Sequence, residues 1–206
     1  MKNDNTTTRS KKGAGSNPNN RAKAIEVASQ LFLSQGYSYV SMDEVVKASG
    51  VSKSNIYYHF KNKEELLLAV VQFWIARYES DVYLLLSQRE RSVEERITMF
   101  IASLSSGMEQ RDYAWGCPFV TLYMQTPPDA PEVKETISRF LRELQPLVEK
   151  LLRQGIEQGE FRANVDPQSA ASLFVTALEG SLVLAETSRD VSILERSART
   201  FCQMLR

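Results

Sequence analysis

Histidine is nearly absent from this chain and cysteine is scarce, with one His and two Cys in 206 residues. His59, Cys117 and Cys202 stand far apart and no CxxC pair occurs, so a zinc or iron–sulfur site has no ligand set. No metal or other cofactor is expected. A disulfide between the two cysteines stays open on sequence alone, with free thiols the expectation in a reducing compartment. Charges and turn signals interrupt every apolar run before the ~20 residues that a membrane helix needs. The opening residues hold no apolar stretch, so no signal peptide is read. These absences lead to the expectation of a cytoplasmic chain with no membrane partner. Period-2 strand patterns and internal repeats are missing too, which leaves an all-α fold of about nine helices.

What the chain does have is charge of one sign at one end. Its formal net charge is zero, yet residues 1–63 hold ten Lys or Arg against four acids, and the remainder carries the balancing negative charge. A basic end and an acidic remainder orient an encounter with a polyanion such as duplex DNA. Residues 1–18 are rich in Asn, Thr, Ser and Gly, include Arg9, Lys11 and Lys12, and cannot bury apolar surface. They read as a disordered basic tail, either a solvated segment or an arm that touches the duplex.

Helix starts are written plainly after that. Ala24, Ile25, Ala28, Leu31 and Phe32 recur at helical spacing up to Gly36. Ser41 with Glu44, and Ser92 with Glu95, form capping boxes. Ser52, Asn62 and Asp166 stand at further N-cap positions, and Pro118, Pro131 and Pro167 at first helical positions. Pro146 should bend a long helix running from Pro131 to about Gln158. The division expected is a helix-turn-helix unit over 19–65 and a second helical domain over 66–206.

Residues 41–63 carry the chemistry. Two short helices flank a turn at Gly50-Val51, and the second presents hydroxyl, amide, phenol and imidazole groups between lysines. Such a helix can offer donors and acceptors to base edges in a major groove while its neighbours grip phosphates. The run Gly36-Tyr37, Ser41-Met42-Asp43-Glu44-Val45, Gly50-Val51-Ser52-Lys53, Ile56-Tyr57-Tyr58-His59-Phe60 and Lys63-Glu64-Glu65-Leu66 resembles the N-terminal domain of TetR-type transcriptional regulators. The segments Gly116-Cys117-Pro118-Phe119, Gly159-Glu160-Phe161 and Leu178-Glu179-Gly180-Ser181-Leu182 resemble the C-terminal domain of a subgroup of them. The resemblance implies a homodimeric, non-enzymatic repressor that binds a palindromic DNA operator and is released by a small-molecule effector bound in the C-terminal domain. A DNA-organising protein on the same scaffold, without an effector, is the alternative.

On that resemblance the DNA contacts fall on Ser41, Ser52, Lys53, Ser54, Asn55, Tyr57, Tyr58 and His59, with Lys63 at the family's phosphate-binding lysine. Ser54 departs from the glycine common at its position, which puts the details of base readout in question. One of the tyrosines could instead be core, as Ile56 and Phe60 must be. His59 lies on this polar helix rather than beside a nucleophile, so catalysis is not expected. In the middle of the chain Trp74, Tyr78, Phe100, Trp115, Cys117, Phe119 and Tyr123 offer apolar walls for an effector, or simply a core. No buried acid stands out, so the effector expected is neutral or aromatic and moderately hydrophobic. Cys117 precedes Pro118 at a helix start, where it is either a small buried residue or a thiol made reactive by the helix N-terminus. The apolar stripes of the last two helices exceed what one domain needs, and Phe174, Leu178, Ser181, Leu182, Leu194 and Phe201 are the candidates for a dimer interface.

Overall fold

A computed structural model describes residues 18–206 and gives an all-α fold, with nine helices and no strand among the described residues. The expectation of a disordered basic arm falls almost wholly outside those residues. Only Pro18 is described, and it opens α1 (Pro18–Gln35). A one-turn 3₁₀ segment (Tyr37–Tyr39) follows, then α2 (Met42–Ser49), α3 (Lys53–His59) and α4 (Lys63–Ser87). The body adds α5 (Val93–Gln110), α6 (Pro118–Gln125), α7 (Pro131–Glu157), α8 (Pro167–Ser188) and α9 (Ser192–Leu205).

Local chemistry sets the helix starts. Both capping boxes form: the Ser41 amide donates to Glu44 Oε2 at 2.6 Å, and the Ser92 amide donates to Glu95 Oε2 at 2.9 Å. The Asn62 side chain accepts from the Glu65 amide, and Asp166 from the Ser169 amide. Ser52 differs from expectation. It occupies the N-cap position of α3, but its hydroxyl makes no capping bond and lies 3.3 Å from the Ser54 hydroxyl. α7 continues through Pro146 to Glu157.

The head packs α1, α2 and α3 around Ala28, Phe32, Val45, Ile56 and Phe60, with Leu66, Leu67 and Val70 of α4 closing its base. α4 therefore belongs to both units. At 25 residues it spans about 37 Å. The body buries Ile97, Phe119, Leu122, Ile137, Leu151, Leu152 and Leu182 between α4 and α9. A second acid-to-backbone clamp holds it: the Glu160 carboxylate accepts the amides of Val93 and Glu94 at 2.7 and 2.8 Å, capping α5 from the α7–α8 loop.

α8 is long and apolar enough by length and composition to cross a membrane, because Glu179 is the only charge in its central stretch. In the fold, seven of its residues, from Ala170 to Ala185, are buried against the rest of the bundle.

Candidate nucleic-acid interface

The turn between α2 and α3 depends on Gly50, which sits at φ 65° in the left-handed region where a Cβ is disfavoured. Its amide reaches the Val46 carbonyl at 3.1 Å, and Ser49 Oγ accepts the Val51 amide at 3.2 Å. Ile56 and Phe60, buried as expected, fix the roll of α3 and turn its other faces outward.

Ser52, Lys53, Ser54, Tyr57 and Tyr58 share that open side. Tyr57 is 41% and Tyr58 73% exposed, so neither phenol serves as core. Lys53 pairs with Asp43 at 2.7 Å and lies 5.8 Å from the Tyr57 ring. The hydrogen bond and charge of Asp43 raise the lysine's pKa. Both partners are exposed, and water competes for each, so the ammonium can exchange that carboxylate for a phosphate.

Four other expected contacts are placed differently. The Ser41 hydroxyl is occupied by its capping box, donating to Glu44 Oε2 and accepting the Glu44 amide. Asn55 and His59 are half-buried, and Asn55 Oδ1 and His59 Nε2 are turned out of solvent. Lys63 is the most fully engaged of the four. Its ammonium donates to the carbonyls of Tyr37 at 2.9 Å and Val40 at 3.0 Å, and sits 4.2 Å from the Tyr37 ring. Burial lowers its pKa. Two of its three N–H donors thereby tie α4 to the 3₁₀ turn, which leaves one for a phosphate. Sequence reasoning missed Tyr39, which is 84% exposed on that turn, and the exposed Lys61. The clue to Tyr39 was a second aromatic two residues after Tyr37, too many for one short turn to bury.

The proposed effector walls divide. Tyr78, Phe100 and Phe119 are buried together, and the Tyr78 ring meets Phe119 edge-on at 5.2 Å and Phe140 at 6.0 Å. This cluster fills the body, and the apolar cleft beside it, between Tyr78, Phe100 and Glu179, holds about 40 Å³. That is room for about three water molecules. Trp74 and Trp115 instead line a cleft of about 400 Å³ between α1 and the body. Tyr123 faces outward with the Lys134 ammonium 5.6 Å from its ring, which removes it from the interior.

Cys117 does stand at the N-cap of α6 with Pro118 next, as expected, but it is only 3% exposed. Burial and then the charge of Glu179 push its thiol pKa up, far more than the Val120 and Phe119 amides pull it down. Burial therefore works against a reactive thiolate in this place. Both cysteines are free thiols. Glu179 is the buried acid that sequence reasoning did not find, and burial raises its pKa.

The interface candidates are largely packed within their own chain. Phe174, Leu178, Ser181, Leu182, Leu194 and Phe201 are all buried within the chain, with Phe174 packed on Phe201 at 5.0 Å. The apolar surface left open on α8 and α9 belongs to Leu173, Val183, Leu184 and Met204, each about half exposed.

A capped three-helix head with a polar, aromatic α3 held outward, joined to a helical body by one shared helix, defines a helix-turn-helix DNA-binding regulator. Residues 24–70 match the bacterial regulatory proteins of the tetR family, and residues 93–201 match the tetracyclin repressor-like C-terminal domain. The chain belongs to the tetR family. It is similar to the HTH-type transcriptional repressor ComR of Escherichia coli strain K12, at 24% identity over 180 residues, covering 87% of this chain and 86% of ComR. Its head is similar to the HTH-type transcriptional regulator QacR of Staphylococcus aureus strain Mu50, at 39% identity over 61 residues, covering 30% of this chain and 32% of QacR. In fold it is similar to the crystal structure of regulatory protein TetR from Rhodobacter sphaeroides, with a TM-score of 0.79 at 24% identity, covering 88% of this chain and 96% of that one.

Proposed function

We propose that the chain acts as a homodimeric repressor that reads an inverted-repeat operator and leaves it when a small molecule binds the body. The observation that carries this reading is the open face of α3, where Ser52, Lys53, Ser54, Tyr57 and Tyr58 stand free of the core. Residues 1–63 add the net positive charge that draws this face to DNA. Each copy would place α3 in a major groove, with half-sites about 34–36 Å apart or a multiple of it.

Coupling has a physical route. α4 runs from the base of the head into the body, and two further bonds cross the same junction. The Tyr37 amide donates to Gln125 Oε1 of α6 at 3.0 Å, and the Trp74 indole donates to Ser29 Oγ of α1 at 2.8 Å. An effector with an apolar or aromatic body that prefers a displaced α4 or α6 moves the head through these contacts. A preference of ~2 kcal/mol changes operator affinity about thirtyfold.

The test is the salt dependence of binding to a mixed-sequence duplex. Affinity should fall steeply with salt, and Lys53→Ala should flatten the log–log slope by about one phosphate contact. Binding that is absent, or indifferent to salt, rejects the reading. The tightly filled aromatic cluster favours a second reading, a DNA-organising protein without an effector, and sequence selectivity separates the two.

A further inference from the structure

We propose that the cleft between α1, α4 and the α5–α6 loop is a binding site for a small, flat carboxylate, gripped by Arg77 and Arg111. The Arg111 guanidinium lies 5.5 Å from the Trp74 ring, and that of Arg77 lies 5.8 Å from Trp74 and 5.7 Å from Phe73. Two cations thus share one indole. Among the described residues neither guanidinium makes an ion pair or a side-chain hydrogen bond, and Arg111 Nε is buried with no partner at all. Glu26 lines one mouth of the cleft and Asp81 the other, but neither comes within ion-pair distance.

That arrangement is unfavourable as it stands. Burial, and after it the like charge of Arg77, work against the charged form of Arg111, with Tyr78 opposing them. Arginine does not release its proton under ordinary conditions, so the cost persists until an anion arrives. The space for one is present. The cleft holds about 400 Å³ on the α1 side of the arginine pair and about 270 Å³ on the Tyr78 side. The planar guanidinium fork matches a carboxylate through two parallel N–H···O bonds, and Phe73, Trp74 and Trp115 offer flat apolar walls. Gly107 makes room for the fork, since a Cβ there would meet Arg111 Nη1 at 3.2 Å.

The backbone around the site is held in a costly form. Asp112, Tyr113 and Trp115 all have φ between 53° and 65°, a region disfavoured for residues with bulky side chains. The Glu186 carboxylate sustains the loop by accepting the amides of Trp115 at 3.1 Å and Gly116 at 2.9 Å. Binding at this cleft does not depend on operator recognition. Only its consequence for DNA rests on the reading above: Ser29, Gln30 and Ser34 of α1 form the opposite wall, so an occupant would press on the head directly.

Both tryptophans of the chain line this cleft, so their fluorescence reports on it without DNA. Benzoate is the probe and benzamide its neutral match. Benzoate should change the emission saturably, benzamide should not, and Arg111→Gln should weaken the benzoate response by about tenfold or more, as loss of a charge-assisted pair requires. Arg77 is exposed, so Arg77→Gln provides a second variant that keeps the fold, and it should weaken the response in the same direction. No saturable response to benzoate, an equal response to benzamide, or unchanged affinity in Arg77→Gln would overturn the site. Because no DNA is present, that failure leaves the operator reading intact, and failure of operator binding leaves this result intact.

Discussion

Lys63 and Glu179 show how a single side chain can take on a role that its neighbours in sequence do not suggest. Lys63 opens a helix beside the DNA-reading segment, yet its ammonium is committed to two backbone carbonyls of the head. Lys63→Met keeps the stem and removes those charge-assisted bonds. It should lower stability by about 1–3 kcal/mol, or roughly 2–4 °C of melting temperature for each of those kcal/mol in a chain this size. An unchanged melting temperature with lost DNA affinity would return Lys63 to the phosphates. Glu179 is invisible to sequence patterning because an acid on a long apolar helix reads as an outward residue. The bundle instead closes over it, and burial raises its carboxyl pKa in the folded state. In the unfolded chain the same carboxyl ionises in the ordinary range. Stability is therefore undiminished below that range and declines as pH rises through the folded-state value. Glu179→Gln should melt higher than wild type at about pH 7.5, with the gap closing toward about pH 4. A gap of constant size across that range counts against this account of the burial.

At the scale of helices, what was legible was what is local. Capping boxes at Ser41 and Ser92, the Asn62 and Asp166 caps and the Gly50 turn depend on residues three or four positions apart, and each stands where the sequence puts it. Ser52 kept its position but not its bond, because Ser54 offers its hydroxyl a competing neighbour. The faces of α8 and the orientation of Tyr123 were not legible. They are decided by which helices pack alongside, and an apolar stripe does not say whether its own chain or a copy will cover it. Pro146 belongs to this scale too. It is exposed and interior to α7, where it lacks an amide donor and crowds the preceding turn. Pro146→Ala should stabilise the chain by about 1–3 kcal/mol in chemical denaturation. A loss of stability would mean that the body requires the distortion the proline imposes.

The whole molecule presents one basic reading head, one filled body and an apolar face that the chain itself leaves uncovered. Leu173, Gly180 and Leu184 follow one another at helical spacing on the open side of α8, with Met204 exposed on α9. A second copy of the chain covering that face is the assembly the operator reading requires. Leu184→Glu places a charge there and should yield a monomer in sedimentation, together with an operator affinity weaker by about tenfold or more. Retention of the dimer would move the interface elsewhere. The proposal that joins these parts is that two heads read two half-sites at a fixed separation. Selection of bound duplexes from a random pool by the purified protein, at moderate salt, tests it most directly. The account predicts enrichment of an inverted repeat whose half-sites lie about one helical turn or a multiple apart. Salt-sensitive retention of bulk DNA with no enriched sequence would contradict it.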